Sequence, residues 1–327
     1  MSLFAKLRAE THLPALDGAT GWLNSGPLTR EGLRGHVVLV DFWTYTCINW
    51  LRTLGHVRAW HEKYADRGLV VVGVHTPEFP FERDEANVRW AVQFQRVGYP
   101  VALDPDFAVW RAFSNNAWPA VYIADEEGQI RHMHFGEGGY EECERAVQML
   151  LREAGHEDVP DGLVSVVDDG FEAQAAWQTL GSPETYLGYE QGQNFVSAGI
   201  AEFDEPQEFG VPDTVERNQW ALSGNWTLGP GKSVLDEGGG SLVFRFHARD
   251  VNLVMGPPAS GPVQFRVSVD GEPPGESHGL DVDDEGDGTL DRPRLHQLIR
   301  ERRPVTDRTF EITFEAPGAE VYCFTFG

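Results

Sequence analysis

The chain has 327 residues, enough for two units that each bury a core of their own. Hydrophobic residues make up 41% and aromatics 11%, with ten Trp, which describes a globular protein. A formal charge of −25 at pH 7 argues against nucleic acid and anionic membrane surfaces as partners; it serves solubility and names no substrate.

No segment approaches about 20 consecutive apolar residues, so no membrane span is expected. Residues 1–10 contain Lys6 and Arg8 but no following apolar run, so no secretory signal is expected either, and the expected location is cytoplasmic. The three cysteines, Cys47, Cys143 and Cys323, are few, odd in number and far apart. That excludes a disulfide scaffold and a cysteine-based metal site, and it fits a reduced compartment. No cofactor and no metal are implied.

In chain order, residues 1–35 read as a lead-in, and the first long strand begins near His36. Val37-Val38-Leu39-Val40-Asp41-Phe42-Trp43 is an apolar strand run ending in an acid and two aromatics. A short turn brings Cys47 to the start of a helix over 47–66, where Leu51, Leu54, His61 and Tyr64 recur at helical spacing. Unpaired N–H groups and the helix dipole at such a start favour a thiolate, the attacking form of cysteine. Leu69–His75 is a second continuous apolar run, as expected of a strand buried on both faces. Thr76-Pro77-Glu78-Phe79-Pro80 breaks it. A helix over 82–97, a strand at 100–103, a helix near 106–113, strands at 120–125 and 129–135, and a helix over 141–154 follow. Alternating strands and helices, then a hairpin and a last helix, predict an α/β unit.

From about Gly155 the pattern changes. Residues 156–184 are rich in Gly, Asp and Pro and read as a linker, with one stretch, 172–180, of helical character. From 185 onward, period-two alternation takes over. Leu242, Phe244 and Phe246 alternate with Val243, Arg245 and His247; Val263, Phe265, Val267 and Val269 with Gln264, Arg266 and Ser268; Phe310, Ile312 and Phe314 with Glu311 and Thr313. Residues 185–327 are therefore expected to form an all-β, jelly-roll-like sandwich.

The stretch from Val37 to Trp50 resembles the thioredoxin superfamily, whose pattern is strand, Asp-Phe-Trp, short turn, Cys-x-x-Cys, helix. Trp43-Thr44-Tyr45, Cys47, Ile48 and Asn49 are similar to the version in DipZ-type thiol–disulfide proteins. Trp22 to Leu28 and Leu33-Arg34-Gly35 resemble the entry to thioredoxin-like proteins of the peroxiredoxin and cytochrome-maturation type. Pro183 to Tyr189, Asp281-Val282-Asp283 and Arg294 to Leu298 resemble the C-terminal domain of DipZ-like proteins, which looks like a carbohydrate-binding module. The resemblance spans nearly the whole chain. It implies a thioredoxin-like domain over 1–155, a linker over 156–184 and a carbohydrate-binding-like sandwich over 185–327. DipZ-like proteins often carry a membrane part before this module, which this chain is expected to lack.

By the same resemblance, Asp41 is the buried carboxylate beside the active-site pair and the proton partner of Cys47. Trp118-Pro119 holds the place of the cis-proline whose preceding backbone pairs with a bound peptide. One position departs from the pattern: Trp50 stands where the second cysteine belongs. Gly55 also stands where such helices often carry proline. A second thiol would hydrogen-bond the thiolate, an interaction worth about 1.5–3 kcal/mol, and its loss raises a thiol pKa by roughly one or two. The indole of Trp50 is a possible replacement donor.

His75 and Glu78 follow a central strand and belong at the sheet edge that carries Cys47, where open α/β sheets bind ligands. His75 either tunes the thiol or is a satisfied loop histidine. Cys143 falls on the apolar face of the last helix, as core packing or a resolving thiol; Cys323 reads as core. Asp281, Asp283, Glu285 and Asp287 around Gly286 resemble an EF-hand loop, but its twelfth position holds Arg292 instead of an acid, so a solvated acidic turn is expected.

Three functions are consistent with these residues. The first is a monothiol oxidoreductase, Cys-x-x-Trp, forming mixed disulfides that an external thiol resolves. Its partners are a disulfide-containing protein or a low-molecular-weight thiol. The second is a one-cysteine peroxidase: Thr44 lies three residues before Cys47 as in peroxiredoxins, although Val40 holds the place of their proline. The third is a non-catalytic scaffold that presents the sandwich to a glycan.

Overall fold

The computed structural model describes residues 12–167, 169–198, 202–302 and 304–327. Lys6 and Arg8, and the rest of the first eleven residues of the lead-in, lie outside the described residues. The chain divides into two compact units, Met1–Ala173 and Gln174–Gly327, a division that falls inside the expected linker.

The first unit is built on a six-stranded mixed sheet. Its strands are β1 (Gly21–Leu23), β2 (Val37–Trp43), β3 (Leu69–His75), β4 (Val101–Leu103), β5 (Ala120–Ala124) and β6 (Ile130–Phe135), in the spatial order β1-β4-β3-β2-β5-β6. β2 pairs parallel with β3, and β3 with β4; the other pairings are antiparallel. The helices are α1 (Ile48–Tyr64), α2 (Glu85–Phe94), α3 (Ala108–Ala112) and α4 (Tyr140–Glu153).

Every residue of β2 is buried, as expected of a strand covered on both faces. Val38, Val40 and Phe42 point into one cluster with Leu13, Leu16, Phe113 and Tyr122. By the two-residue period of a strand, Asp41 and Trp43 share the opposite face. α1 buries Leu51, Leu54, Val57, Trp60 and Tyr64 at spacings of three and four, which lays one stripe of the helix inward. Gly55 is explained by its neighbours: a Cβ there would sit 2.7 Å from both Glu172 Oε2 and Val166 Cγ1. The segment after α4 lies across α1 at this point, and Arg58 Nη2 donates to both carboxylate oxygens of Glu172 at 2.6 and 2.8 Å. A buried carboxylate, Glu144 of α4, ties the same elements together. It accepts from Trp60 Nε1 (3.2 Å), Lys63 Nζ (2.8 Å), Tyr64 Oη (2.6 Å) and the Val164 N–H (3.0 and 2.9 Å).

The helix expected over 172–180 is not formed. A short 3-10 turn occupies Gly170–Glu172, and 173–180 is irregular. Apolar residues recur there, but Gly170, Gly181 and Pro183 bracket too few residues for a helical nucleus.

The second unit is all β. Its strands run from β7 (Thr185–Tyr186) and β8 (Pro206–Phe209) through β9 (Trp220–Leu228), β10 (Ser233–Leu235), β11 (Ser241–Phe246), β12 (Asp250–Gly256), β13 (Val263–Val269), β14 (Asp287–Leu290), β15 (Arg294–Arg300) and β16 (Arg308–Phe314) to β17 (Glu320–Phe326). They form one antiparallel path, β14-β13-β16-β11-β9-β10-β17-β12-β15, with β7 on β17 and β8 on β9. The sheet curls on itself around Trp220, Trp226, Phe244, Phe265, Phe310, Phe314 and Phe324. Alternation is cleanest in β13, where Val263, Phe265 and Val267 are buried and Gln264 and Arg266 exposed. The acidic turn is held by arginines and backbone: Asp281 pairs with Arg294 (2.7 Å), Asp287 with Arg266 (2.6 Å), and Asp283 Oδ1 accepts the Asp287 N–H at 2.8 Å.

Candidate active site

The site lies at the carboxyl end of β2. Thr44 to Thr46 turn the chain, the Cys47 N–H donates to the Thr44 carbonyl at 3.2 Å, and the Cys47 carbonyl accepts the Leu51 N–H at 3.0 Å. Cys47 is therefore the N-cap of α1, with extended backbone (φ −75°, ψ 111°). The residue thus stands at the helix end whose first-turn N–H groups have no partner within the helix, although its side chain makes no capping hydrogen bond to them. It is partly exposed, whereas Cys143 and Cys323 are buried.

The Trp118–Pro119 peptide is cis. Cys47 Sγ donates to the Trp118 carbonyl at 3.8 Å, which brings the start of α1 against the residue preceding Pro119. The Pro119 carbonyl accepts the Gly136 N–H at 2.8 Å. In the loop that follows, Glu137 is fixed to α1 by Arg52 Nη1 at 2.9 Å, with side-chain exposures of 7% and 2%. The helix carrying the thiol and the loop beside Pro119 are thus pinned to each other.

Behind the sulfur, Trp50 turns inward. Its indole Nε1 donates to Asp41 Oδ2 at 3.0 Å, and its ring stacks on Trp43 at 4.2 Å and 17°. Asp41 is wholly buried, and Oδ1 has no hydrogen-bond partner. Burial pushes its carboxyl up to about 7, against the downward pull of the Trp50 N–H. Tyr99 packs beside it, its phenol held well above the ordinary range by burial and by the nearby carboxylate. Space for these rings comes from Gly73, in register with Asp41: a Cβ there would sit 2.8 Å from Trp43 Nε1 and 2.9 Å from Tyr99 Cε2.

His75 ends β3 in register with Trp43. It is buried, edge-on to Trp43 at 4.8 Å and stacked with Tyr45 at 5.8 Å, and its Nε2 has no partner. Burial pulls it down to about 3, so it is neutral and part of an aromatic wall. The acid that grips the active-site turn is Glu82, one turn beyond Glu78 and not singled out in the sequence. Its Oε1 accepts from Thr46 Oγ1 (2.7 Å) and the Thr46 N–H (3.3 Å); its Oε2 accepts the N–H groups of Glu78 (2.7 Å) and Phe79 (2.9 Å). Burial raises its carboxyl, opposed by these hydrogen bonds. Its only sequence signal is an acid beside Phe79-Pro80-Phe81, where a purely apolar turn would need no charge.

Cys143 lies on the buried face of α4, its Sγ 3.5 Å from His132 Nε2, and burial pushes its thiol up to about 12. Cys323 is buried in β17 of the second unit.

Comparison with known proteins identifies the family of the chain. Residues 13–133 match the AhpC/TSA family, and residues 182–327 match the thioredoxin-like C-terminal domain. Thiol-disulfide oxidoreductase YkuV of Bacillus subtilis is 34% identical over 142 residues, 43% of this chain and 95% of YkuV. The chain belongs to the thioredoxin-like thiol–disulfide oxidoreductase family. Protein DipZ of Mycobacterium tuberculosis is 35% identical over 330 residues, which cover 99% of this chain and 44% of DipZ. The chain therefore spans less than half the length of the DipZ proteins it matches. A solved thioredoxin-like protein in the oxidised form shares 34% identity over 45% of this chain and 98% of its own, with a TM-score of 0.41. For this thioredoxin-like member, the expected α/β unit followed by an all-β unit is the architecture observed. No helix among the described residues is long and apolar enough to cross a membrane.

Proposed function

We propose that this thioredoxin-like protein is a monothiol oxidoreductase in which Cys47 attacks a disulfide of a protein or small-thiol partner. Cys47 bonds to one partner sulfur, and the other leaves as a thiolate that takes up a proton. The observation that carries the reading is the partly exposed Cys47 at the start of α1, its sulfur 3.8 Å from the Trp118 carbonyl. A partner strand would pair with backbone at Trp118 and Pro119, beside the wall containing His75 and the turn containing Glu78. Asp41 is the buried proton reservoir of the site, titrating near 7, and Trp50 occupies the place of a second thiol. An indole cannot attack sulfur, and Cys143 is packed away, so release of the mixed disulfide falls to an external thiol.

The test is insulin reduction with dithiothreitol or glutathione, combined with mass spectrometry of adducts at Cys47, with Cys47→Ser as control. Adducts confined to the Cys47-containing protein support the proposal. If no adduct forms at Cys47 under any thiol or disulfide, the proposal fails.

The AhpC/TSA match keeps a second reading, a one-cysteine peroxidase. Against it, Thr44 is completely buried, so its hydroxyl is not presented to peroxide beside the sulfur. Cys47-dependent peroxide consumption faster than disulfide exchange would decide for this reading.

A further inference from the structure

The face of the site next to Cys47 is aromatic. Phe107, Trp110 and Trp118 are each partly exposed and touch one another: Trp110 and Trp118 at 4.4 Å, Phe107 and Trp110 at 5.9 Å, Phe107 and Trp118 at 6.5 Å. Trp118 is also the residue whose carbonyl meets Cys47 Sγ. The backbone of one member of this ring group therefore meets the attacking atom, and the other two members, Phe107 and Trp110, belong to the start of α3.

Two local rules are broken in this small group. Phe107 caps α3 in the left-handed region (φ 58°, ψ 25°), where a bulky side chain is strained and glycine would be relaxed. The Trp118 indole N–H is covered and finds no acceptor, a penalty that phenylalanine or leucine would avoid. Packing on the sheet accounts for Trp110, which lies edge-on to Phe42 of β2 at 5.8 Å beside the buried Val109 and Phe113, but neither Phe107 nor Trp118 belongs to that core cluster. Rings kept at such a cost, in a half-open group beside a nucleophile, are the kind of strain that collects at functional sites.

We propose that Phe107, Trp110 and Trp118 form a specificity shelf that selects disulfides whose cysteine is flanked by an aromatic side chain. The proposal rests on the thiol chemistry proposed above and adds the partner's chemical class. A strand laid along Trp118 with its sulfur at Cys47 places the neighbouring side chain over the shelf. There an aromatic ring finds tilted and edge-on partners at the spacing such pairs prefer, while a small polar side chain finds nothing to bond. In the covalent step Cys47 thiolate bonds to the peptide sulfur, and the sulfur–sulfur bond to the second group breaks, with the electron pair leaving on that group as a thiolate.

The experiment compares two short peptides, Gly-Phe-Cys-Phe-Gly and Gly-Ser-Cys-Ser-Gly, each activated as the thionitrobenzoate mixed disulfide. Release of the coloured thionitrobenzoate anion reads capture by Cys47. The wild-type protein should capture the phenylalanine peptide about tenfold faster, the upper range of what aromatic pairing supplies. In Trp110→Ala and in Phe107→Gly, which relaxes the backbone and so keeps the fold, the ratio of the two rates should fall toward one. Phe94→Ala, which removes an exposed ring of α2 outside the shelf, should keep the wild-type ratio. Equal rates in wild type, a ratio unchanged in both shelf variants, or a ratio lost in Phe94→Ala overturns the shelf while leaving the thiol chemistry standing. Capture of neither peptide overturns both.

Discussion

Replacing Asp41 by Asn should make this protein more stable at alkaline pH, with a size set by the burial of one carboxyl. In the folded chain that carboxyl titrates near 7, against an ordinary 3.8, because burial disfavours its charge more than the Trp50 N–H favours it. Between those values the native state holds a proton that the unfolded chain has released. Stability therefore falls as pH rises from about 4 to about 7, and the loss is complete above 7. At about 1.4 kcal/mol per pH unit the interval corresponds to roughly 4 kcal/mol. Asn removes the titration and keeps a carbonyl oxygen to accept the Trp50 N–H, whose bond to Asp41 is 3.0 Å long. The variant should gain up to roughly 4 kcal/mol over wild type at pH 8 and be level with it, or slightly worse, near pH 4. Urea unfolding followed by hydrogen exchange in peptides covering Val37–Trp43 reports this unit separately from the second. A wild-type-minus-variant difference that stays constant from pH 4.5 to 8 would refute the reasoning.

Trp50→Cys should raise insulin-reduction turnover with dithiothreitol by at least about tenfold, because a thiol within the site resolves mixed disulfides at high effective concentration. The same change should lower stability by about 3 kcal/mol or more, since it empties most of a buried indole site; equal turnover in the two proteins would sink the resolving argument. His75→Phe should remove an acid sensitivity. His75 is neutral in the fold down to about pH 3 but protonates near 6.5 when unfolded, so its contribution is lost as pH falls below 6.5. The variant's stability near pH 4 should exceed wild type's by about 3 kcal/mol, with no difference at pH 8. For Glu144→Gln the pH dependence has the same sign as for His75 and is opposite to that of Asp41. Glu144 is held below its usual range by its hydrogen bonds from Lys63, Tyr64 and Val164, against the cost of burial. The variant should lose about 3 kcal/mol at pH 7, shrinking as pH falls through the carboxyl's range, measured by the same unfolding curves.

Much of the fold was legible because it rests on local pattern. The unbroken apolar runs of β2 and β3, the spacing of Leu51, Leu54 and Tyr64 on α1, and the alternation in β13 each follow from burial on one or two faces. Features that depend on distant chain segments were not. Gly55 reads as an oddity until Val166 and Glu172 are seen lying over it. Glu82 carries no pattern of its own, because its four donors come from Thr46, Glu78 and Phe79, on two loops joined only by folding. The Trp50 indole was legible as a donor but not its acceptor, which is nine residues away across a strand, a turn and a helix start.

Taken together, the two titratable groups Asp41 and His75 behind Cys47 are held without charge between about pH 3 and neutral pH. Asp41 keeps its proton up to about 7 and His75 stays neutral down to about 3, both because burial disfavours their ionised forms. The two contributions to stability have opposite slopes between about pH 4 and 6.5, so the intact site changes little there, and the slope left near neutrality belongs to Asp41. Asp41 thus holds a proton that moves in the range where thiols begin to ionise. Trp50 donates to Asp41 Oδ2 at 3.0 Å, so the group that joins Asp41 to α1 is an indole rather than a thiol. On the chemistry proposed above, one sulfur with no second thiol beside it makes a bond to a partner and holds it until an external thiol arrives, and the aromatic group that includes Trp118 is where the partner would be chosen.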